Sequence, residues 1–200
     1  MEQDPTRNST NDEAKHNSSP ETLKEVAVRT ERLTDYDAIH EVELLAFAPD
    51  TRQAELVRAI RESPGYIPEL SLVAESDNEV IAHIMLSKAE LDENGKRTVV
   101  LYLSPLAVRP DKQHQGVGPS LIQAALAVAG QREEPLVILE GNPSFYSKVG
   151  FKTAKRLGVT MHLPKWASIA AGQAYTLPNY SETVRGHLIL PPTFDIVHED

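Results

Sequence analysis

The spacing of apolar and polar residues changes several times along the first half of the chain, and each change predicts a new element. The two classes alternate over residues 25–31, which is typical of a half-buried strand. Helical spacing follows over 33–47, with Thr34 as the expected N-cap, and a second helix is predicted over 51–63. The face of the first helix that is expected to be buried carries Ile39, Val42, Leu45 and Ala46.

The middle of the chain is predicted to form consecutive strands. Two apolar runs, 70–76 and 79–91, are separated by Asp-Asn and predict a hairpin. A long strand is predicted over 96–108, after the turn Glu-Asn-Gly, and a helix over 117–130. Residues 134–141 contain a short continuous apolar run, which is typical of a central strand.

The last part of the chain has a weaker pattern. A short helix is predicted over 143–150, a strand region over 151–163 and a final strand within 185–196. Residues 165–184 mix small residues with turn formers and receive no assignment. Consecutive strands followed by β-α-β units predict an α/β fold of the α+β-like kind, with a mixed and mostly antiparallel sheet flanked by helices.

Composition divides the chain into two parts. Residues 1–22 are almost wholly polar and cannot bury enough apolar surface to offset the entropy of ordering. We therefore expect a disordered or loosely ordered N-terminal arm over 1–22 and one folded domain over 23–200. Neither an apolar run of about 18 residues nor the apolar core of a secretory signal is present, so a cytoplasmic protein is expected.

Charge and residue usage exclude several function classes. The chain has 29 acidic and 20 basic residues, and its formal net charge of −9 predicts no binding to nucleic acid or to an anionic membrane. It has no cysteine, which excludes disulfides, cysteine metal ligands and a thiol nucleophile. The seven histidines are scattered without an H-E-x-x-H pair, so no metal site is expected.

A glycine-rich turn stands between a predicted strand and a predicted helix. Gly116 and Gly118 begin a dinucleotide-type G-x-G-x-x-G pattern, but its third position is Leu121, and the Gly-Lys-Ser/Thr of a phosphate-binding P-loop is absent. A helix start still offers unpaired N–H groups that bind anions, and glycine lets a ligand approach them. The pattern alone leaves two interpretations open, an anion site and a helix entry that needs glycine for close packing.

Two motifs together resemble one known family. The run "QHQGVG" (113–118) matches the Q/R-x-x-G-x-G/A motif of the GCN5-related N-acetyltransferase (GNAT) superfamily, and "NPSFYSKVGF" (142–151) resembles its second, tyrosine-containing segment. They are separated by about one helix and one strand, as in the family, and the element order agrees over 25–163. The approach "PLAV-x-P" before the first motif resembles a bacterial branch that acts on small molecules.

The resemblance implies a sheet whose two central parallel strands, here 97–108 and 135–140, splay apart to admit acetyl-CoA. Pro105 interrupts the first of them and favours a bulge, because proline cannot donate to a ladder. Backbone groups of 106–108 are expected to pair with the pantetheine arm, and N–H groups of 113–118 to bind the pyrophosphate. The implied cofactor-binding residues are Leu106, Ala107, Val108, Gln113, His114, Gln115, Gly116, Val117, Gly118, Ser120 and Asn142. Asn142 is also expected to cap the helix that follows it, while Arg109 and Lys112 are interpreted as solvated surface charges in preference to adenosine contacts.

The implied reaction is transfer of the acetyl group to a primary amine of a small molecule or peptide by direct attack in a ternary complex. Tyr146 is the expected catalytic residue, donating a proton to the departing thiolate. No general base is evident: Glu41 and Glu43 lie on the first helix, and His83 is interpreted as a satisfied, buried histidine. A non-catalytic acyl-CoA-binding or regulatory module is the alternative, and residues 164–200 are left with two open roles, a wall of the acceptor pocket or a contact in a homodimer.

Overall fold

The computed structural model describes residues 26–165 and 167–198. The predicted N-terminal arm over 1–22 therefore lies outside the described residues. The helices of the described part are α1 (Tyr36–Phe47), α2 (Arg52–Arg61), α3 (Val117–Ala129), α4 (Pro143–Tyr146) and α5 (Asp195–His198). The strands of the same part are β1 (Ala27–Thr30), β2 (Ser71–Ser76), β3 (Glu79–Glu93), β4 (Lys96–Val108), β5 (Leu136–Glu140), β6 (Lys152–Thr153), β7 (Val159–Thr160), β8 (Gly172–Thr176) and β9 (Gly186–Ile189).

These strands form one twisted sheet in the order β1-β2-β3-β4-β5-β8-β6, with β9 paired to β3 and β7. Neighbours on the main path are antiparallel except β4 and β5, which are parallel. Tight turns at Asp77-Asn78 and Asn94-Gly95, all with positive φ, connect β2 to β3 and β3 to β4. The architecture confirms the predicted mixed α/β class and the central position of β5.

Helices cover both faces of the sheet because successive strand residues point to opposite sides. On one face, α3 buries Leu121, Ile122 and Ala125 against Leu101 and Val137. On the other face, side chains of α1 and α2 pack against odd-numbered residues of β2 and β3 and even-numbered residues of β4 and β5. The members of this second core nearest the middle of the sheet are Ile39, Leu56, Ile60, Val73, Met85, Tyr102 and Ile138.

The two parallel strands separate after a short contact. They pair at Leu101 with Val137 and at Tyr102 with Ile138, and the register ends there. Immediately afterwards β4 carries a bulge, because two residues, Ser104 and Pro105, stand opposite the single Met85 of β3. The structure thus confirms both the predicted splay and the predicted bulge at Pro105.

Two details of the first helix were predicted incorrectly. Thr34 is not an N-cap: a 3-10 turn over Leu33–Asp35 precedes α1, and the Asp35 carboxylate accepts the Arg32 backbone N–H at 2.7 Å. Leu45 is 45% exposed, whereas Glu43, which is not among the residues of the predicted buried face, is wholly buried. Glu43 occupies the buried face because it bonds to a histidine of β3, a partner that helical spacing does not reveal.

The chain after residue 150 differs most from the pattern. The strand region predicted over 151–163 contains two strands of two residues, β6 and β7, separated by a 3-10 turn over Ala154–Leu157. The unassigned segment 165–184 contains β8, which pairs with all of β5. The small residues of β8 have low strand propensity, so its conformation follows from tertiary pairing rather than from local preference. The predicted final strand is confirmed as β9.

Candidate active site

The loop before α3 presents a row of unpaired backbone donors. Gly116 precedes the helix with φ of 86°, and His114 also has positive φ, at 60°. Within the described part of the chain, no acceptor is found for the backbone N–H groups of residues 114–118. Since a helix N-terminus also carries partial positive charge, this loop is suited to a phosphate group.

Side chains of the same loop are used to hold its shape. The Gln113 and Gln115 amides donate to the carbonyls of Val108 and Asp111, each at 3.0 Å. The Ser120 hydroxyl donates to the Gly116 carbonyl at 3.0 Å, so its proton is already engaged. The Gln113 N–H donates to Pro110 at 3.4 Å, which leaves the free donors at 114–118.

The close packing around Gly118 explains why the turn has a second glycine. A Cβ at this position would lie 3.4 Å from Phe145 Cζ and 3.7 Å from a methyl group of Val108. The helix start therefore packs closely against β4 and α4, as the packing interpretation of the glycines requires. Gly116 in contrast has open space beside it and supplies the positive φ, so the two glycines serve different purposes.

The edge of β4 that faces the splay is open beyond Tyr102. The Arg109 N–H donates to Ile81 of β3 at 2.9 Å, and Ala107 lies opposite His83. Because hydrogen-bonding direction alternates along an antiparallel ladder, the N–H and C=O groups of Ala107 face β3 and those of Leu106 and Val108 face the gap. The groups of this edge that can pair with an extended ligand are therefore those of Leu106 and the N–H of Val108, whose carbonyl already accepts from Gln113, and not those of Ala107.

Tyr146 lies at the end of β5, on the far side of the gap. The Asn142 side chain accepts the Ser144 N–H at 2.9 Å and caps α4, with Pro143 in the first helical position, as predicted. The short helix brings the Tyr146 ring against Gly141, where a Cβ would overlap the ring. The missing side chain at Gly141 thus sets the position of Tyr146.

The environment of Tyr146 keeps its hydroxyl protonated. Its ring lies edge-on to Phe145 and Phe151, with centroid separations of 4.9 and 5.6 Å. Burial raises the pKa of Tyr146 to about 12, and no hydrogen bond to its hydroxyl occurs among residues 26–165 and 167–198. At neutral pH the residue is a neutral phenol with a donor available for a ligand.

A cavity of about 580 Å³ opens on the other face of the sheet, at the same splay. Tyr102 and Ser104 of β4 and Glu140 of β5 contribute to it. Burial, and next the charge of Glu140, raises the pKa of Tyr102 well above its usual value. The remaining lining residues are Gln53, Gly141, Asn142, Pro143, Pro164, Ala167, Ser168, Ala171 and Val197.

The pattern of the sequence did not single out this cavity. Its walls come from α2, from both splayed strands and from the segment after β7, which are far apart along the chain. One signal was available, because Glu140 is the charged residue that ends the apolar run of β5, at the edge where the splay opens.

The candidate bases Glu41, Glu43 and His83 do not line this cavity. His83 is wholly buried, with Nδ1 2.7 Å from Glu43 Oε1 and Nε2 3.0 Å from Ser71 Oγ. The structure confirms the interpretation of His83 as a satisfied core residue. Burial raises the pKa of Glu43, and Glu41 lines a separate polar cavity beside α1.

Arg109 and Lys112 carry charges at the loop's outer side. Arg109 pairs with Asp111 and Glu79, each at 3.1 Å, and Lys112 lies 3.8 Å from Asp111. In the described part of the chain, no cluster of three His, Asp or Glu side chains is arranged to hold a metal ion. None of the helices in residues 26–165 and 167–198 is long and apolar enough to cross a membrane.

The chain is similar to known proteins in sequence and in fold. Residues 68–153 match the family model of the acetyltransferase (GNAT) domain. The chain is 30% identical over 119 residues to the uncharacterized N-acetyltransferase YjhQ of Escherichia coli K12, a match that covers 60% of this chain and 65% of that relative. The chain therefore spans just under two thirds of YjhQ.

Two solved structures resemble the chain over most of its length. The GNAT family N-acetyltransferase YhbS of Escherichia coli, in complex with CoA, superposes with a TM-score of 0.76 at 23% identity, covering 90% of this chain and 96% of YhbS. A GNAT family acetyltransferase of Brucella melitensis, in complex with acetyl-CoA, gives a TM-score of 0.69 at 26% identity, covering 86% and 99%. Residues 68–153 are thus similar to the acetyltransferase (GNAT) domain, and the fold of the chain is similar to that of solved GNAT family structures.

Proposed function

We propose that the protein is an N-acetyltransferase that moves the acetyl group of acetyl-CoA to a primary amine of a small molecule. The observation that carries this proposal is the row of unpaired N–H groups at 114–118, at one end of an open gap between β4 and β5. YhbS binds CoA and the Brucella protein binds acetyl-CoA on the same fold, which supports the same co-substrate here.

Acetyl-CoA would bind along the gap. Its pyrophosphate would accept hydrogen bonds from the N–H groups of His114, Gln115, Gly116, Val117 and Gly118. Its pantetheine amides would pair with the open β4 edge at Leu106 and Val108, in the manner of an added strand. Ala107 would contribute through contact, and Asn142 by positioning α4. Gln113 and Ser120 would contribute by holding the shape of the loop, through their hydrogen bonds to the carbonyls of Val108 and Gly116.

The reaction would proceed by direct attack in a ternary complex. The amine nitrogen forms a bond to the thioester carbonyl carbon, the C–S bond breaks, and the electron pair stays on sulfur. The nitrogen loses one proton and the sulfur gains one, so the products are an amide and free CoA thiol. No cysteine is present in the sequence for an acetyl-enzyme, which favours this route. Holding both reactants in the splay would supply most of the acceleration.

Tyr146 would donate a hydrogen bond to sulfur as the C–S bond breaks. Its pKa of about 12 ensures the protonated form. A free thiol has a pKa of about 8.5, so complete proton transfer to the thiolate is uphill. Tyr146 would therefore stabilise the developing charge and pass on the proton released by the acetylated nitrogen.

The alternative is an acyl-CoA-binding or regulatory module without catalysis. It needs the donor loop but not the Tyr146 hydroxyl. An amine panel with acetyl-CoA, followed by thiol release and by mass detection of the acetylated product, separates the two. We expect turnover in the wild type, a fall of kcat by roughly 10- to 1000-fold in Tyr146→Phe, and unchanged CoA affinity.

Tyr175→Phe is the matched control, because Tyr175 also contacts Phe151 but does not pack against Gly141 as Tyr146 does. It should retain the wild-type rate. CoA binding without turnover of any amine would favour the module, and absence of CoA binding would overturn both functions. A cytoplasmic location, a homodimer and the division between an arm over 1–22 and a domain over 23–200 stay predictions.

A further inference from the structure

We infer that the 580 Å³ cavity at the splay is the acceptor site and that Glu140 makes it selective for amines without a negative charge. Glu140 is thus a specificity-determining residue, and the substrate class is a small cationic amine with a hydrocarbon body. This inference rests on the proposed acetyl transfer and deepens it.

The cavity and the donor loop lie on opposite sides of the same opening. The α3 helix, whose start presents the donors, packs on the sheet face of Leu101 and Val137. The cavity opens on the face of Tyr102 and Ile138. An acceptor in the cavity would therefore approach the thioester from the side that CoA leaves open, as direct attack requires.

Glu140 is near the reacting end of the cavity. It precedes Gly141, against which the Tyr146 ring packs. Its side chain follows that of Ile138 to the cavity face, because alternate residues of a strand share a face. Its charge contributes to the raised pKa of Tyr102, which lines the same cavity.

The described residues that line the cavity carry one charge, and it is negative. Among the described lining residues, Glu140 is the charged side chain, and the others are neutral. A carboxylate in a partly enclosed, low-dielectric site attracts an ammonium group and repels a second carboxylate more strongly than it would in water. The cavity therefore disfavours amines that also carry a carboxylate.

Two further features fit an amine with a hydrocarbon body. The Gln53 side chain lines the cavity, and its oxygen is buried with no hydrogen-bond partner among the described residues. Apolar side chains also line the cavity. They are Pro143, Pro164, Ala167, Ala171 and Val197.

The test uses three amines with the same four-carbon chain and different ends: 1,4-diaminobutane, butylamine and 4-aminobutyrate. Binding of each to the CoA-saturated protein is measured by calorimetry, and turnover with acetyl-CoA is measured separately. We expect the wild type to bind the diamine and the monoamine at least tenfold more tightly than 4-aminobutyrate. Glu140→Gln, which keeps the side chain's shape, should reduce that ratio to less than threefold.

Glu133→Gln is the control, since it removes one negative charge from an exposed residue outside the cavity and should leave the ratio unchanged. Equal affinities of the three amines in the wild type, no binding of any of them, or an unchanged ratio in Glu140→Gln would each overturn the inference. Charge-selective binding without acetylation would leave this inference standing and would contradict the proposed function instead. Thermal unfolding of each variant verifies that the fold is intact.

Discussion

The ring of Tyr146 lies against the Cα of Gly141, at the point where β5 ends and the gap opens. A Cβ at position 141 would overlap two atoms of the ring and would also lie 3.2 Å from a methyl carbon of Leu139. The hydroxyl of the proposed proton donor is therefore positioned by the absence of a side chain one turn earlier in the chain. This relationship makes the catalytic role of Tyr146 testable without changing Tyr146 itself.

Gly141→Ala should move the Tyr146 ring and lower kcat. Relieving such an overlap costs about 1–3 kcal/mol of stability, and a shift of about 1 Å at a reacting group lowers the rate by up to roughly 100-fold. Steady-state kinetics and thermal unfolding measure the two effects. Gly65→Ala is the control, because a Cβ there meets its neighbours at an ordinary 3.5 Å. A wild-type kcat in Gly141→Ala would contradict the proposed position of the donor.

Gly116→Ala should weaken CoA binding. The position has φ of 86° and open space around it, so alanine strains the backbone of the donor loop without a clash. Gly95→Ala is closely matched, since Gly95 also has φ of 86° and open space but lies in the β3–β4 turn. Both alanine variants should lose about 1 kcal/mol in the free energy of unfolding. A rise of Kd for CoA by about tenfold is expected in Gly116→Ala alone, by calorimetry; equal affinities in the two variants would argue against pyrophosphate binding at this loop.

His83→Gln should lower stability and leave the chemistry intact. His83 is buried between Glu43 and Ser71, and its removal leaves a buried carboxyl group with a poorer partner. A loss of about 1–3 kcal/mol in the free energy of unfolding is expected from urea titration. The kcat of the folded fraction should stay within about threefold, since a general base contributes roughly 100-fold or more. A larger fall of kcat, with a changed pH profile, would identify His83 as the base after all.

The buried Glu31 should make stability depend on acid pH. Burial by itself would raise the pKa of Glu31, but hydrogen bonds from Arg61 and Tyr66 outweigh it and hold the pKa below its usual range. A lowered carboxyl pKa means stability that is present above the ordinary value of about 4.5. That stability is lost as the pH falls through the lower, folded-state value.

The measurement compares urea unfolding of the wild type and Glu31→Gln between pH 7 and pH 3. The wild type should lose its advantage over the variant as the pH falls below about 4.5. Arg61→Ala removes the guanidinium that balances the buried Glu31 charge and leaves the Tyr66 hydroxyl as a donor to it, and should cost about 3–5 kcal/mol at pH 7. A difference in the free energy of unfolding between the wild type and Glu31→Gln that stays constant at every pH would contradict the lowered pKa of Glu31.

Local patterns predicted much of the fold and part of the site. The strand over 96–108, the helix after Gly116 and the cap at Asn142 agree with the structure, because each depends on neighbouring residues and on intrinsic backbone preference. The pattern failed where a distant partner decides the outcome. Glu43 is buried because His83, forty residues away, bonds to it, and β8 is a strand because β5 offers it an edge.

By itself, the sequence determined the turn chemistry, the positions of Gly116, Gly118 and Tyr146, and the break in β4 at Pro105. These follow from backbone freedom, from proline's missing donor and from apolar spacing, which act over a few residues. The tertiary structure alone decided that Gly141 positions Tyr146 and that Glu140 shares a cavity with Gln53, Pro164, Ala167, Ser168 and Ala171. Those relationships arise from packing between segments far apart in the chain, and no local pattern encodes which surfaces will meet.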